Sequence, residues 1–199
     1  MKKKNESTTL TIKNMVCDRC IRVVREELTK LGHDVRTVEL GTAEVGTSLT
    51  VPQRETVRTM LFSNGFELIE DKNARLIEAV RTAVIRLVHH RHDREPLRVK
   101  TSEYIATAVG KDYHTLSALF SSVENITIEQ YLIKQRIERV KELLKYEEST
   151  LSQIADELGY SSVQHLSNQF KSITGLTPTQ FKQQTPKHLR VPRIPLDKV

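Results

Sequence analysis

The most constraining feature of this chain is a helix-start signal repeated along its C-terminal half. Thr127 with Gln130, Thr150 with Gln153, Ser161 with Gln164 and Thr177 with Gln180 each place a hydroxyl at an N-cap and an amide side chain at N3. That spacing satisfies two orphaned backbone donors reciprocally, one through the hydroxyl and one through the Gln carbonyl. Pro178 occupies N1 of the last of these starts, where its missing N–H costs nothing. Gly159 lies between two of the starts and Gly175 ends a helix, so the pieces are short and sharply turned. This is helix-turn-helix punctuation.

A longer helix from Thr127 to about Tyr146 has Tyr131, Ile133, Ile137, Val140 and Leu144 as its expected buried stripe. At a rise of about 1.5 Å per residue it spans roughly 30 Å and reads as a strut between two small lobes. Ahead of it, Ser102 to Val109, Gly110 and Tyr113 to Ser122 follow the same plan as Thr150 to Thr174: short helix, glycine, second helix. The C-terminal half is therefore expected to be a pseudo-duplicate. Leu116, Leu119, Phe120, Leu166, Phe170 and Ile173 should form its cores.

The N-terminal part mixes periods. Thr8 to Lys13 alternates with Leu10 and Ile12 on one face, and a helix follows with the apolar stripe Ile21, Val24, Leu28 and Leu31, stopped by Gly32. Val35 to Leu40 and Val45 to Val51 flank Gly41 and Gly46 as a hairpin; Pro52 opens a second helix through Asn64; Phe66 to Ile69 closes the unit. The order is βαββαβ, which predicts an α+β chain: a ferredoxin-like domain over residues 8–71, then an all-α domain with two helix-turn-helix units over 97–185. Between them, 72–96 holds a helix from Asn73 to about His90 and a charged hinge around Pro96, and 186–199 is a tail.

Composition bounds the function only loosely. A net charge of +6 and a pI of about 9.3 favour polyanionic partners, although a solvated mixed-charge surface explains them equally. The basic start is not followed by the apolar run of a secretory signal, and no stretch of about 18 apolar residues could span a membrane, so a cytoplasmic protein without a membrane partner is expected. No phosphate loop, nucleophile elbow or paired-carboxylate arrangement occurs, so the reading is not an enzyme.

Three stretches carry a family likeness in type, order and spacing: Ile137-Glu138-Arg139-Val140-Lys141-Glu142-Leu143-Leu144, then Leu151 to Tyr160 (LSQIADELGY), then Phe170 to Pro178 (FKSITGLTP). Over Leu97 to Gln184 the chain resembles the AraC/XylS-type transcription regulators. The resemblance implies double-stranded DNA as the partner, with one subunit placing two recognition helices into successive major-groove segments. RNA polymerase and a second copy of the chain are further partners it brings into view. On that basis Tyr113 to Ser122 and Ser161 to Ile173 are the recognition helices. Their base-facing residues are His114, Ser117 and Ala118 in the first, and Val163, Gln164, His165 and Asn168 in the second. Gln and Asn can bond adenine bidentately and His can bond a purine, whereas Ser and Ala reach little beyond a thymine methyl. The second helix should therefore discriminate sequence and the first position the protein. Lys171, Lys111 and Arg139 are candidate phosphate contacts.

The two cysteines, Cys17 and Cys20, sit in Met15-Val16-Cys17-Asp18-Arg19-Cys20 at the start of the first helix. Their closeness argues against a secreted disulfide framework. Two sulfurs so spaced can converge on one soft ion, Cu(I), Zn(II) or Hg(II), and a helix N-terminus favours thiolate. A Cys17–Cys20 disulfide switch and a pair with no ligand at all remain alternatives. Met-x-Cys-x-x-Cys with Asn64-Gly65-Phe66 resembles the heavy-metal-associated domains of copper chaperones, with Asn14 where that family has glycine. The likeness passes the ligand role to Cys17 and Cys20 and makes Met15 a buried support. His89, His90 and His92 are expected to be an exposed linker cluster. The leading reading is a regulator whose N-terminal domain senses a soft metal or redox state; the alternative is a metal chaperone with a helical appendage.

Overall fold

The computed structural model describes residues 7–90, 99–146, 149–184 and 196–198. Compact packing divides the chain between Thr82 and Ala83. None of the described helices is long and apolar enough to cross a membrane.

The first unit runs β1 (Thr8–Lys13), α1 (Asp18–Lys30), β2 (Val35–Glu39), β3 (Thr42–Val45), α2 (Val51–Ser63), β4 (Glu67–Ile69) and the opening turns of α3 (Lys72–His89). The strands form one antiparallel sheet in the order β2-β3-β1-β4. Alternation in β1 places Leu10 and Ile12 at 1% and 0% exposure, against Val24 and Leu28 of α1 and Val57 and Leu61 of α2. Each such side chain contributes about 1.5–3 kcal/mol when fully buried.

The hairpin is tighter than the sequence suggested. Its second strand is Thr42–Val45, not Val45 to Val51, because Gly41 alone makes the turn, at φ +80°. A Cβ at Gly41 would stand 2.6 Å from Thr82 Oγ1, so helix α3 leaves no room for a side chain there. Gly46 ends the strand instead, donating its N–H to Asp34 O at 2.7 Å. Thr50 and Gln53 form a capping box at α2 that the sequence reading passed over.

The second unit takes the end of α3, then α4 (Thr101–Val109), α5 (Tyr113–Glu124), α6 (Ile128–Tyr146), α7 (Leu151–Glu157), α8 (Val163–Thr174), α9 (Pro178–Gln184) and a 3-10 turn, Leu196–Lys198. The capping boxes at Thr127, Thr150 and Thr177 form as expected. The one assigned to Ser161 and Gln164 does not: Ser162 is the N-cap and accepts from His165 N at 3.1 Å.

Helix α6 packs against α5, α8 and α9, consistent with a strut about 30 Å long. Its buried face holds Tyr131, Ile137, Val140 and Leu144 as expected, but Leu132 in place of the half-buried Ile133. It also buries two polar residues the apolar pattern could not show, Gln135 and Glu138, at 0% and 3% exposure. Gln135 Nε2 donates to Tyr131 Oη at 3.0 Å and to Leu196 O at 3.1 Å, while its Oε1 accepts from His89 Nε2 at 2.9 Å. Glu138 Oε1 accepts from Lys141 Nζ at 2.6 Å.

Candidate nucleic-acid interface and cysteine pair

Each helix pair is built on an aromatic anchor. In the first, Leu116 and Phe120 of α5 are 1% exposed and the Phe120 ring lies 5.6 Å from Tyr131 of α6. In the second, Leu166 and Phe170 of α8 are fully buried and Phe170 meets Phe181 of α9 edge-on at 5.4 Å. These inward contacts fix which faces point out. Leu119 is only half-buried, and Ile173, expected in the core, is 45% exposed although it follows Leu166 and Phe170 at i+7 and i+3 on the same helix face.

The outward face of α5 presents His114 and Ala118, with Ser117 half-buried. Its N-cap is Asp112, whose carboxylate accepts from Thr115 N at 2.8 Å. That backbone N–H bond holds the carboxyl below the usual range. Tyr113 Oη donates to Glu129 at 3.3 Å, and burial, with the Glu129 charge second, pushes its hydroxyl up to about 12.

The outward face of α8 presents Val163, Gln164, His165, Asn168 and Lys171, all exposed. Because Ser162 caps the helix, the Gln164 amide is free of N-cap duty and donates to Asn168 Oδ1 at 2.7 Å. The two side chains expected to read adenine are thus brought together one turn apart. His165 Nδ1 shares a hydrogen bond with Ser161 Oγ at 3.1 Å, and its ring stands edge-on to Tyr160 at 5.3 Å. Lys111 is exposed. Arg139 is ion-paired, with Glu142 at 3.0 Å and Glu157 at 3.5 Å on its guanidinium.

One residue the sequence reading missed stands beside this face. Arg136 of α6 lies over the Tyr160 ring, 5.8 Å from its centroid. Nothing in the apolar pattern marked it, since its partner is an aromatic ring more than 20 residues on.

The family model described as a helix-turn-helix domain matches residues 105–184. That segment is thus similar to helix-turn-helix domains. Two curated proteins are similar to this chain: the probable transcriptional regulator LumQ of Photobacterium leiognathi, 35% identical over 65 residues, and a putative AraC-like transcription regulator of Streptomyces lividans, 31% identical over 90 residues. The matches cover 33% and 45% of this chain and only 26% and 30% of those relatives, so the chain spans under a third of their length. Among solved structures, an AraC-type transcriptional regulator from Chromobacterium violaceum aligns at a TM-score of 0.44 and 26% identity, covering 53% of this chain and 90% of that one.

In the first unit, Cys17 is the N-cap of α1 and Cys20 lies in its first turn, with the two Sγ atoms 3.5 Å apart and both residues half-buried. Two ligands about 2.3 Å from a tetrahedral zinc would sit roughly 3.8 Å apart, so the pair is close to ligand spacing as it stands. Asn14 takes the left-handed conformation, at φ +72°, which asparagine tolerates better than most residues other than glycine. Its side chain donates to Gly65 O at 3.1 Å, tying the cysteine loop to the turn before Phe66. Met15 is buried at 1% exposure. Burial pushes the Cys20 thiol up, outweighing the backbone hydrogen bond at Val16 that lowers it. No group of three or more His, Cys, Asp or Glu that could hold a metal occurs among the described residues. His89 and His90 are half-buried, His89 through its bond to Gln135, not members of an exposed cluster; His92 lies outside the described residues.

Proposed function

We propose that this chain is a DNA-binding transcription regulator, acting in the cytoplasm and without catalysis, that reads two successive major-groove segments with α5 and α8. The observation that carries the reading is the outward face of α8. Gln164, His165, Asn168 and Lys171 stand exposed on a helix whose other side is locked by Leu166 and Phe170. A rigid helix offering amide and imidazole edges has the chemistry for bidentate base contacts. The curated relatives of the domain carry transcriptional regulators' names, which supports the same reading.

The proposal extends to the first unit. Its strand order favours a ferredoxin-like, heavy-metal-associated type of domain. Cys17 and Cys20 would hold a soft ion, Cu(I), Zn(II) or Hg(II), as a signal that changes DNA affinity; a reversible Cys17–Cys20 disulfide is the competing signal. RNA polymerase and a second copy of the chain are the remaining proposed partners, tested by run-off transcription and sedimentation.

Selection from a random duplex library at stated salt, with and without Cu(I) or Zn(II), tests the whole. The expected result is two enriched blocks about one helical turn apart, with metal altering affinity in the wild type but not in Cys17→Ser. Binding to every duplex alike that disappears at moderate salt would overturn the regulator. Equilibrium dialysis without cysteine-dependent metal uptake would overturn the metal signal.

A further inference from the structure

The cations of α6 differ in their partners. Arg139 is engaged by Glu142 and Glu157, and Lys141 by Glu138. Arg136, on the same helix, is partly buried with its guanidinium over the Tyr160 ring. It makes no ion pair with an acid among the described residues. Desolvation pulls its pKa down, partly offset by Tyr160. Shielding a charge from water without an anion is costly, so such a group has most to gain from an anion brought from outside. Its place fits that partner. Tyr160 follows the Gly159 turn between α7 and α8, its hydroxyl donates to Gln169 of α8 at 2.7 Å, and its ring edge meets His165 on the outward face. The ring thus fixes Arg136 beside the start of the helix that faces DNA in the proposed function. A guanidinium held over an aromatic ring still has N–H groups to offer a phosphate oxygen.

We propose that Arg136 is a phosphate seat: held over the Tyr160 ring, it receives one backbone phosphate of duplex DNA and fixes the entry of α8 into the groove. The inference rests on the DNA-binding reading and makes Arg136 a positioning residue with no role in base choice. Its place over the ring also separates it from Lys171, an exposed charge further along α8.

The test measures duplex affinity against salt for the full chain and for Arg136→Met, which keeps the stem and removes the charge. A mixed-sequence duplex and the duplexes recovered from selection are used in parallel. Neutralising one phosphate contact lowers the slope of log affinity against log salt by about 0.9. Over a fourfold rise in salt, the wild type should therefore lose roughly 3.5-fold more affinity than the variant. The variant should weaken binding equally across operator variants. In duplexes carrying one methylphosphonate, a single position should weaken the wild type and leave Arg136→Met unaffected. An unchanged slope with no such position overturns the seat, and leaves the regulator standing if Gln164→Ala still alters sequence preference. Should Arg136→Met fail to fold, the Arg136 Nε–Hε resonance of the wild type decides: it should shift with the native duplex and not with the methylphosphonate one, and no shift with either overturns the proposal.

Discussion

The two helix pairs share a plan and differ in charge at the start of the outward helix. Helix α5 begins at Asp112, whose carboxylate is held ionised by the amide it caps, with Glu129 beside Tyr113. Helix α8 begins at the neutral Ser162, with Arg136 behind the adjoining turn and Lys171 further along. Both caps stabilise their helices, but an anion at the N-terminus cancels the partial positive charge that would attract a phosphate. Side-chain chemistry follows the same division: Gln164, His165 and Asn168 on α8 against His114, Ser117 and Ala118 on α5. Duplication of a scaffold therefore does not duplicate its affinity, and the second pair is expected to grip and read while the first aligns.

The comparison breaks most visibly in the cores. Phe170→Ala should cost about 3–5 kcal/mol and abolish sequence-specific binding, whereas Phe120→Ala, equally destabilising, should leave measurable affinity for the second half of the site; chemical denaturation with binding to half-site duplexes checks both. Next in size, Gln164→Ala should lose about 1–3 kcal/mol of discrimination at one base pair while His114→Ala changes the preference little, read by competition among single-base operator variants. Removing the cap hydroxyl with Thr150→Ala should cost about 1 kcal/mol, seen as a lower denaturation midpoint with no change in base preference. Asp112→Asn keeps a cap but removes the charge, so it should tighten non-specific binding slightly and steepen its salt dependence; an unchanged salt slope would remove the electrostatic half of the contrast. The smallest effect is alkaline. Tyr113 and Tyr160 are both pushed up to about 12, so each contributes stability that is present below pH 10 and lost as the pH rises through 12. Tyr113→Phe and Tyr160→Phe should each flatten that loss in a pH series of unfolding midpoints.

Much of this was legible because it is local. A threonine and a glutamine three residues apart settle a helix start by themselves, as at Thr127, Thr150 and Thr177, and alternation sufficed for β1. The reading slipped where two residues competed for one task. Ser161 and Ser162 both offer an oxygen, and Gln164 three residues after the first favoured the wrong one. Gly41 and Gly46 both offered a turn, and the folded backbone shows which was used, since of the two only Gly41 takes a positive φ, at +80°. What no pattern could supply was the partner distant in sequence: Gln135 and Glu138 occupy apolar-stripe positions, Arg139 is engaged by Glu157, and Arg136 lies over the Tyr160 ring. In the cysteine loop the motif was plain, yet the raised thiol of Cys20 reflects burial, which depends on the packed fold and not on the spacing of sulfurs.

The amide of Gln135 has two hydrogens and both are spoken for, one by Tyr131 and one by the carbonyl of Leu196. A chain shortened just ahead of Leu196 would strand one of them in a dry interior, at roughly 1–3 kcal/mol. The turn at Leu196–Lys198 is thus a keystone for the middle of the central rod.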